Sequence, residues 1–174
     1  MDMSRQIKNI IAITFFLICI GLINVAGQNI EIEIRGMNAF TFILIIAVLL
    51  QVIFFIPSFL LKTEKYYDLV GSLTYITTIS LAYFSVENKT MIDSIIYFYV
   101  MVWALRLGIY LFRRVRNDGK DVRFEKAKRH FFWFLQYWMG QALWVSLTAC
   151  AAIIAILSPE EDTLPVLAMV GMAL

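Results

Sequence analysis

Long apolar runs separated by short charged segments set the pattern of this chain. They cover about Ile10–Ala26, Phe40–Leu61, Leu69–Phe84, Ile95–Phe112 and Phe131–Leu157, and a sixth starts near Leu164 and reaches Leu174. A helix crossing a bilayer core needs roughly 20 apolar residues. The first five runs therefore read as membrane helices, and the sixth as a span cut short. The third carries Ser72, Thr74, Thr77, Thr78 and Ser80, hydroxyls that a membrane helix tolerates by bonding within itself or to a neighbour. The first lacks a small-x-small cleavage site ahead of a polar region and reads as a retained helix rather than a leader. Between the first two runs, Asn29–Ile34 alternates polar and apolar like a short strand; the preferred reading is an extended loop on the membrane surface. No segment of the second half mirrors the Pro and Gly placement of the first, so an inverted repeat is not expected. The expected fold is all-α: one polytopic membrane domain over residues 1–174, with about six spans.

The charges orient that bundle. Twelve of the fifteen Lys and Arg residues fall in the N-terminus, the segment after run two and the segment after run four, against Arg35 and Lys89 on the other side. A Lys/Arg excess marks the cytoplasmic face, which places the N-terminus and the basic loop 113–130 in the cytoplasm. Composition agrees with the class: 61% of the 174 residues are apolar and 16% charged, with mean hydropathy +0.77. That excludes a soluble enzyme, a disordered chain, a collagen-like fibre and a nucleic-acid module. Cys19 and Cys150 lie inside apolar runs, and His130 is the only histidine. Neither a disulfide framework nor a metal site is expected.

Polar residues inside apolar runs are where function concentrates in membranes. Arg106 lies six residues before Phe112, roughly 9 Å below the expected helix exit. Its guanidinium either snorkels to the headgroups or faces a polar, cytoplasm-accessible pocket. Tyr99, Trp103, Arg106, Tyr110 and Arg113 share one helical stripe, which favours the pocket, although Tyr110 also suits the interfacial aromatic belt. In run three, Asp68, Ser72, Tyr75 and Thr78 form a second stripe beside Gly71. It serves either as close-packing glue between helices or to present a tyrosine hydroxyl, backed by an acid, to a developing oxyanion. Tyr66 and Tyr67, at the membrane surface, are alternative donors. Pro57 is a kink candidate, and Gln51 requires a polar neighbour.

The segment Arg113–His130 interleaves eight basic residues with Asp118 and Asp121 around an Asn117-Asp118-Gly119 turn signal. A topology anchor touching anionic lipid accounts for the cations. The interspersed carboxylates fit a phosphate-bearing, polyhydroxylated ligand better, with Arg on phosphates and Asp on hydroxyls.

Two motifs carry a family likeness. Arg106-Leu107-Gly108-x-Tyr110-Leu111-Phe112-x-Arg114-Val115, followed by Gly119-Lys120-Asp121-x-Arg123-Phe124, resembles a signature of the steroid 5-alpha-reductase-like membrane proteins, in their largely bacterial, uncharacterised branch. Lys62 to Thr74 is similar to that branch's upstream motif. The resemblance implies a multi-helix reductase that moves hydride from NADPH to a conjugated carbon–carbon double bond of a lipophilic molecule arriving from the bilayer. Arg106, Arg114, Asp121 and Arg123 would then bind the cofactor, and Tyr67 or Tyr75 would polarise the substrate carbonyl. Span two holds no acid like the one the steroid enzymes place on an early helix. No Arg-His-Pro-Asn-Tyr-like segment follows either, so the chain reads as lacking the family's C-terminal part, and its activity alone is in question. Two other functions compete with this one. A membrane methyltransferase of the isoprenylcysteine or phospholipid type shares the helix layout, but its cationic cofactor gains little from an arginine cluster. A scaffold or lipid-binding protein would use the basic loop on headgroups only.

Overall fold

The computed structural model describes residues 3–118 and 124–158. In chain order its elements are α1 (Met3–Val25), β1 (Glu33–Ile34), β2 (Met37–Asn38), α2 (Ala39–Leu60), α3 (Tyr67–Ser85), α4 (Met91–Asp118), a 3-10 turn (Ala127–Arg129) and α5 (Phe131–Leu157). Each of the first five apolar runs is one helix. The sixth run lies outside the described residues. Among the described residues, α1, α2, α4 and α5 are long and apolar enough to cross a membrane, which makes this a membrane protein.

One local expectation is corrected. The segment before α2 is a minimal antiparallel hairpin, with Glu33 opposite Asn38 and Ile34 opposite Met37. Its turn residues Arg35 and Gly36 both have positive φ, 55° and 77°, the twist that a two-residue hairpin favours. Helix α4 ends at Asp118, at the Asn117-Asp118-Gly119 turn signal, and so continues past its apolar run, as Arg113, Arg114 and Arg116 are good helix formers.

Local chemistry fixes the helix ends. The Asn38 side chain caps α2 by accepting from the Thr41 amide at 3.0 Å. Its Nδ2 donates to the carbonyls of Gly27 and Ile30 at 3.1 and 2.8 Å, tying the end of α1 to the start of α2. At the far end of α2, the Lys62 and Thr63 amides donate back to the Phe59 and Ser58 carbonyls. Lys62 takes the left-handed conformation, with φ 52°, that a Schellman ending requires. Pro57 is accommodated one turn before that ending.

The helices alternate in direction. Arg5 stacks on Trp133, Lys128 pairs with Glu64 and Arg114 pairs with Asp68. The start of α1, the α2–α3 connection, the end of α4 and the start of α5 thus share one end of the bundle, rich in cations. The hairpin, the α3–α4 connection and the end of α5 share the other.

Helix α3 is the inner helix, packed against α2, α4 and α5. That position explains its low hydropathy, since its hydroxyls meet protein. Thr74 and Thr78 donate to the carbonyls of Val70 and Thr74 at 2.7 and 2.9 Å. Buried Gln51 donates to the Thr74 hydroxyl at 2.8 Å. Ser72 donates across to the Ala104 carbonyl of α4. Helix α5 completes the core by packing on α1, α2 and α3. At the cationic end it contributes to an aromatic cluster of Phe55, Phe124, Phe134 and Trp138, all at most 2% exposed.

The α3–α4 seam is made of small residues. A Cβ built on Gly108 would lie 2.8 Å from the Ser72 Cβ, so the two helices would have to part. Gly108→Ala is expected to cost about 1–3 kcal/mol through overpacking. Gly21→Ala, at a position with open space around it, should gain up to about 1 kcal/mol. Unfolding midpoints of the two detergent-solubilised variants measure the contrast.

Candidate functional site

Tyr67 opens α3 at the cationic end. Its ring is held by Phe124 and Trp138, at centroid distances of 4.8 and 5.2 Å, and its hydroxyl donates to the Tyr137 carbonyl of α5 at 2.9 Å. Beside it, α1, α3 and α5 enclose a cleft of about 390 Å³ whose walls include Phe16, Tyr67, Trp133, Tyr137, Gln141 and Trp144. Its size and aromatic lining suit a lipophilic small molecule. Trp133 is fixed by the Arg5 guanidinium, 5.1 Å from its ring centroid, and by His130, stacked at 6.1 Å.

The residue after Tyr67 starts a charged cluster. Asp68, in the first turn of α3, pairs with Arg114 of α4 at 3.3 Å. Arg114 keeps 41% of its side chain exposed and Asp68 keeps 14%, so the guanidinium retains donors for a further anion. A second pair, Lys128 with Glu64 at 2.7 Å, ties the α2–α3 connection to the turn before α5. The Glu64 side chain is only 4% exposed.

Of the residues singled out from sequence, Tyr67 and Arg114 come to neighbouring positions, bridged by Asp68. Tyr75 lies deeper. It is 5% exposed, its ring meets Trp103 edge-on at 4.9 Å, and its hydroxyl bonds Thr148. Thr148 in turn donates to the Trp144 carbonyl at 2.7 Å, which leaves Tyr75 as the donor of the pair. Arg106 is exposed on the outward face of α4. Its stripe-mates Tyr99, Trp103 and Tyr110 are 54%, 45% and 63% exposed, and of these Trp103 reaches α3 through Tyr75. Asp121 and Arg123 lie outside the described residues. Ser72, Tyr75 and Thr78 bond to α4, to α5 and within α3, which is the helix-gluing role.

Two participants escape a sequence reading. Glu64 sits in a charged connection that resembles ordinary solvated loop. Gln141 left a legible sign as a carboxamide inside a long apolar run, the pattern that marks intramembrane sites.

The model of the family described as Protein of unknown function (DUF1295) matches residues 54–174, more than half of the chain, and the protein belongs to that family. No curated protein matches the chain. No solved structure matches it either.

The Glu64–Lys128 pair should hold the cationic end together. Lys128→Met leaves a buried carboxylate without that ammonium and is expected to cost about 2 kcal/mol. Adding Glu64→Gln to it should recover part of the loss. A double-mutant cycle on unfolding midpoints measures the coupling, and strict additivity would show that the pair contributes nothing.

Proposed function

We propose that this protein is a multi-pass membrane reductase, its cationic end in the cytoplasm, that uses NADPH to reduce a conjugated double bond in a lipophilic carbonyl compound. The observation that carries this reading is the adjacency of Tyr67 and Asp68. One residue places a phenol in an aromatic cleft, and the next holds Arg114 at the polar end of the bundle. The resemblance of Lys62–Thr74 and Arg106–Phe124 to the steroid 5-alpha-reductase-like proteins supports the same reading.

The chemistry of the cluster fits a dinucleotide. A partly exposed guanidinium is a phosphate ligand, a carboxylate accepts from sugar hydroxyls, and Arg113 beside Arg114 adds positive potential at the same end. NADPH supplies the hydride when bound. Arg114 contributes charge to phosphate, and Asp68 orients Arg114. In the cleft, Tyr67 turns its O–H from the Tyr137 carbonyl to a substrate carbonyl oxygen and stabilises the charge that develops there. Tyr75 already donates to Thr148 and packs against Trp103, so it supports the site from behind. The aromatic walls exclude water, which strengthens the phenol's effect.

Protein reconstituted in nanodiscs should bind NADPH more tightly than NADH. Arg114→Ala should weaken NADPH binding about tenfold, the scale of one lost charge-assisted contact. Tyr67→Phe should leave that binding intact while lowering enone-dependent NADPH oxidation by about 10²-fold, the usual worth of one oxyanion donor. Folded protein that binds neither nucleotide defeats the reductase reading, and saturable binding of S-adenosylmethionine instead would favour a methyltransferase.

A further inference from the structure

We infer that the outward face of α4 binds an anionic phospholipid from the leaflet at the cationic end, its phosphate held by Arg106, Tyr110 and Arg113. The site lies away from the α1–α3–α5 cleft and stands independently of the reductase reading. Arg106, Tyr110 and Arg113 follow one another at intervals of four and three residues, so they share one face of the helix over roughly 10 Å. All three are exposed, and among the described residues none has a hydrogen-bond or ion-pair partner. Helix α4 is long and apolar enough to span a membrane as far as Val115, which puts Arg106 inside the span. A guanidinium at that depth needs a counter-charge. Snorkelling answers it poorly here. The Cα–Cβ bonds of a helix tilt toward its N-terminus, and α4 begins at the opposite end of the bundle. The Arg106 side chain therefore sets out away from the nearer surface, and an anion must come to it.

The face itself says which anion fits. From Ser94 to Val115 the helix carries no carboxylate, so the stripe offers positive charge and phenol hydroxyls alone. An arginine fork and a phenol O–H both donate to phosphate oxygens, and no acid is present to receive the ammonium of a zwitterionic headgroup. Toward the bilayer interior the exposed rings of Trp103 and Tyr99 continue the stripe for two more turns, a track along which acyl chains lie. Donors near the surface and rings beneath them match one amphiphile standing upright in the leaflet. A second copy of the chain fits less well. A two-fold contact presents the same patch from both partners, and through this stripe it would set arginine against arginine in hydrocarbon.

The test is quenching of tryptophan fluorescence by brominated lipids in reconstituted bilayers. Trp103 stands one turn from Arg106 and is 45% exposed; Trp144, exposed on α5, is replaced by Phe so that Trp103 dominates the lipid-dependent signal. Brominated phosphatidylglycerol should associate about fivefold more strongly than brominated phosphatidylcholine, the scale of one arginine's attraction for an anionic lipid. Arg106→Gln should bring that ratio to about one, and Tyr110→Phe should lower it about twofold, the loss of one neutral donor. Circular dichroism should show unchanged helix content in each variant. Equal quenching by the two lipids before any change at Arg106 would overturn the inference. So would a preference that survives intact in Arg106→Gln, which would assign it to the basic connections. A Trp103 shielded from both lipids would overturn it as well, because protein would then cover this face.

Discussion

The arrangement depends on satisfying polar groups where no water can reach them. In a hydrocarbon environment each unpaired donor or acceptor costs several kcal/mol, yet this bundle carries a hydroxyl-rich helix at its centre. It resolves the conflict locally. Thr74 and Thr78 bond back one turn along α3, Ser72 reaches the α4 backbone, and Gln51 comes in from α2 to Thr74. With its hydroxyls answered by protein, α3 can pack against α2, α4 and α5. Close approach follows from the same choice, because small residues such as Gly108 and Ser72 bring backbones near enough for these bonds to form.

The spans were legible because run length and hydrophobicity are the same physical requirement seen twice. Five runs become five helices, with α1 and α4 extending beyond their apolar runs. Even the weakest, the serine- and threonine-bearing third, is a helix, and its hydroxyls are answered by protein. The alternation of basic and non-basic connections also matches the ends that Arg5, Glu64 and Arg114 share with their partners. Less visible were features governed by local backbone geometry. The Arg35–Gly36 turn needs two positive φ values, which a polar–apolar alternation does not encode, and α4 extends past its apolar run because its arginines favour helix.

The candidate site was legible in part. Tyr67, Asp68 and Arg114 belong to segments that carry a recognisable motif, and they meet. Arg106 shows the limit of helical periodicity. A stripe identifies which residues share a face, but not which face meets a neighbour. Helix α4 packs chiefly on α3, and Arg106 lies on its exposed side although Trp103 of the same stripe meets Tyr75. Gln141 is diluted when a long apolar run is averaged, and as a single carboxamide it is legible only residue by residue; in the fold it lies against Gly71.

The place of α5 has a consequence for biosynthesis. It is synthesised after the four helices before it, yet it supplies the principal packing surface for α1 and α2 and also packs on α3. Helix α1 has little contact with α2 beyond the bonds of Asn38 and Thr41 at one tip, and α5, its main partner, begins only at Phe131. Such long-range closure is slow and leaves incomplete intermediates exposed. Quality control in the cell will therefore read damage to α5 as a failure of the whole bundle, while damage confined to the early hairpin is a local matter.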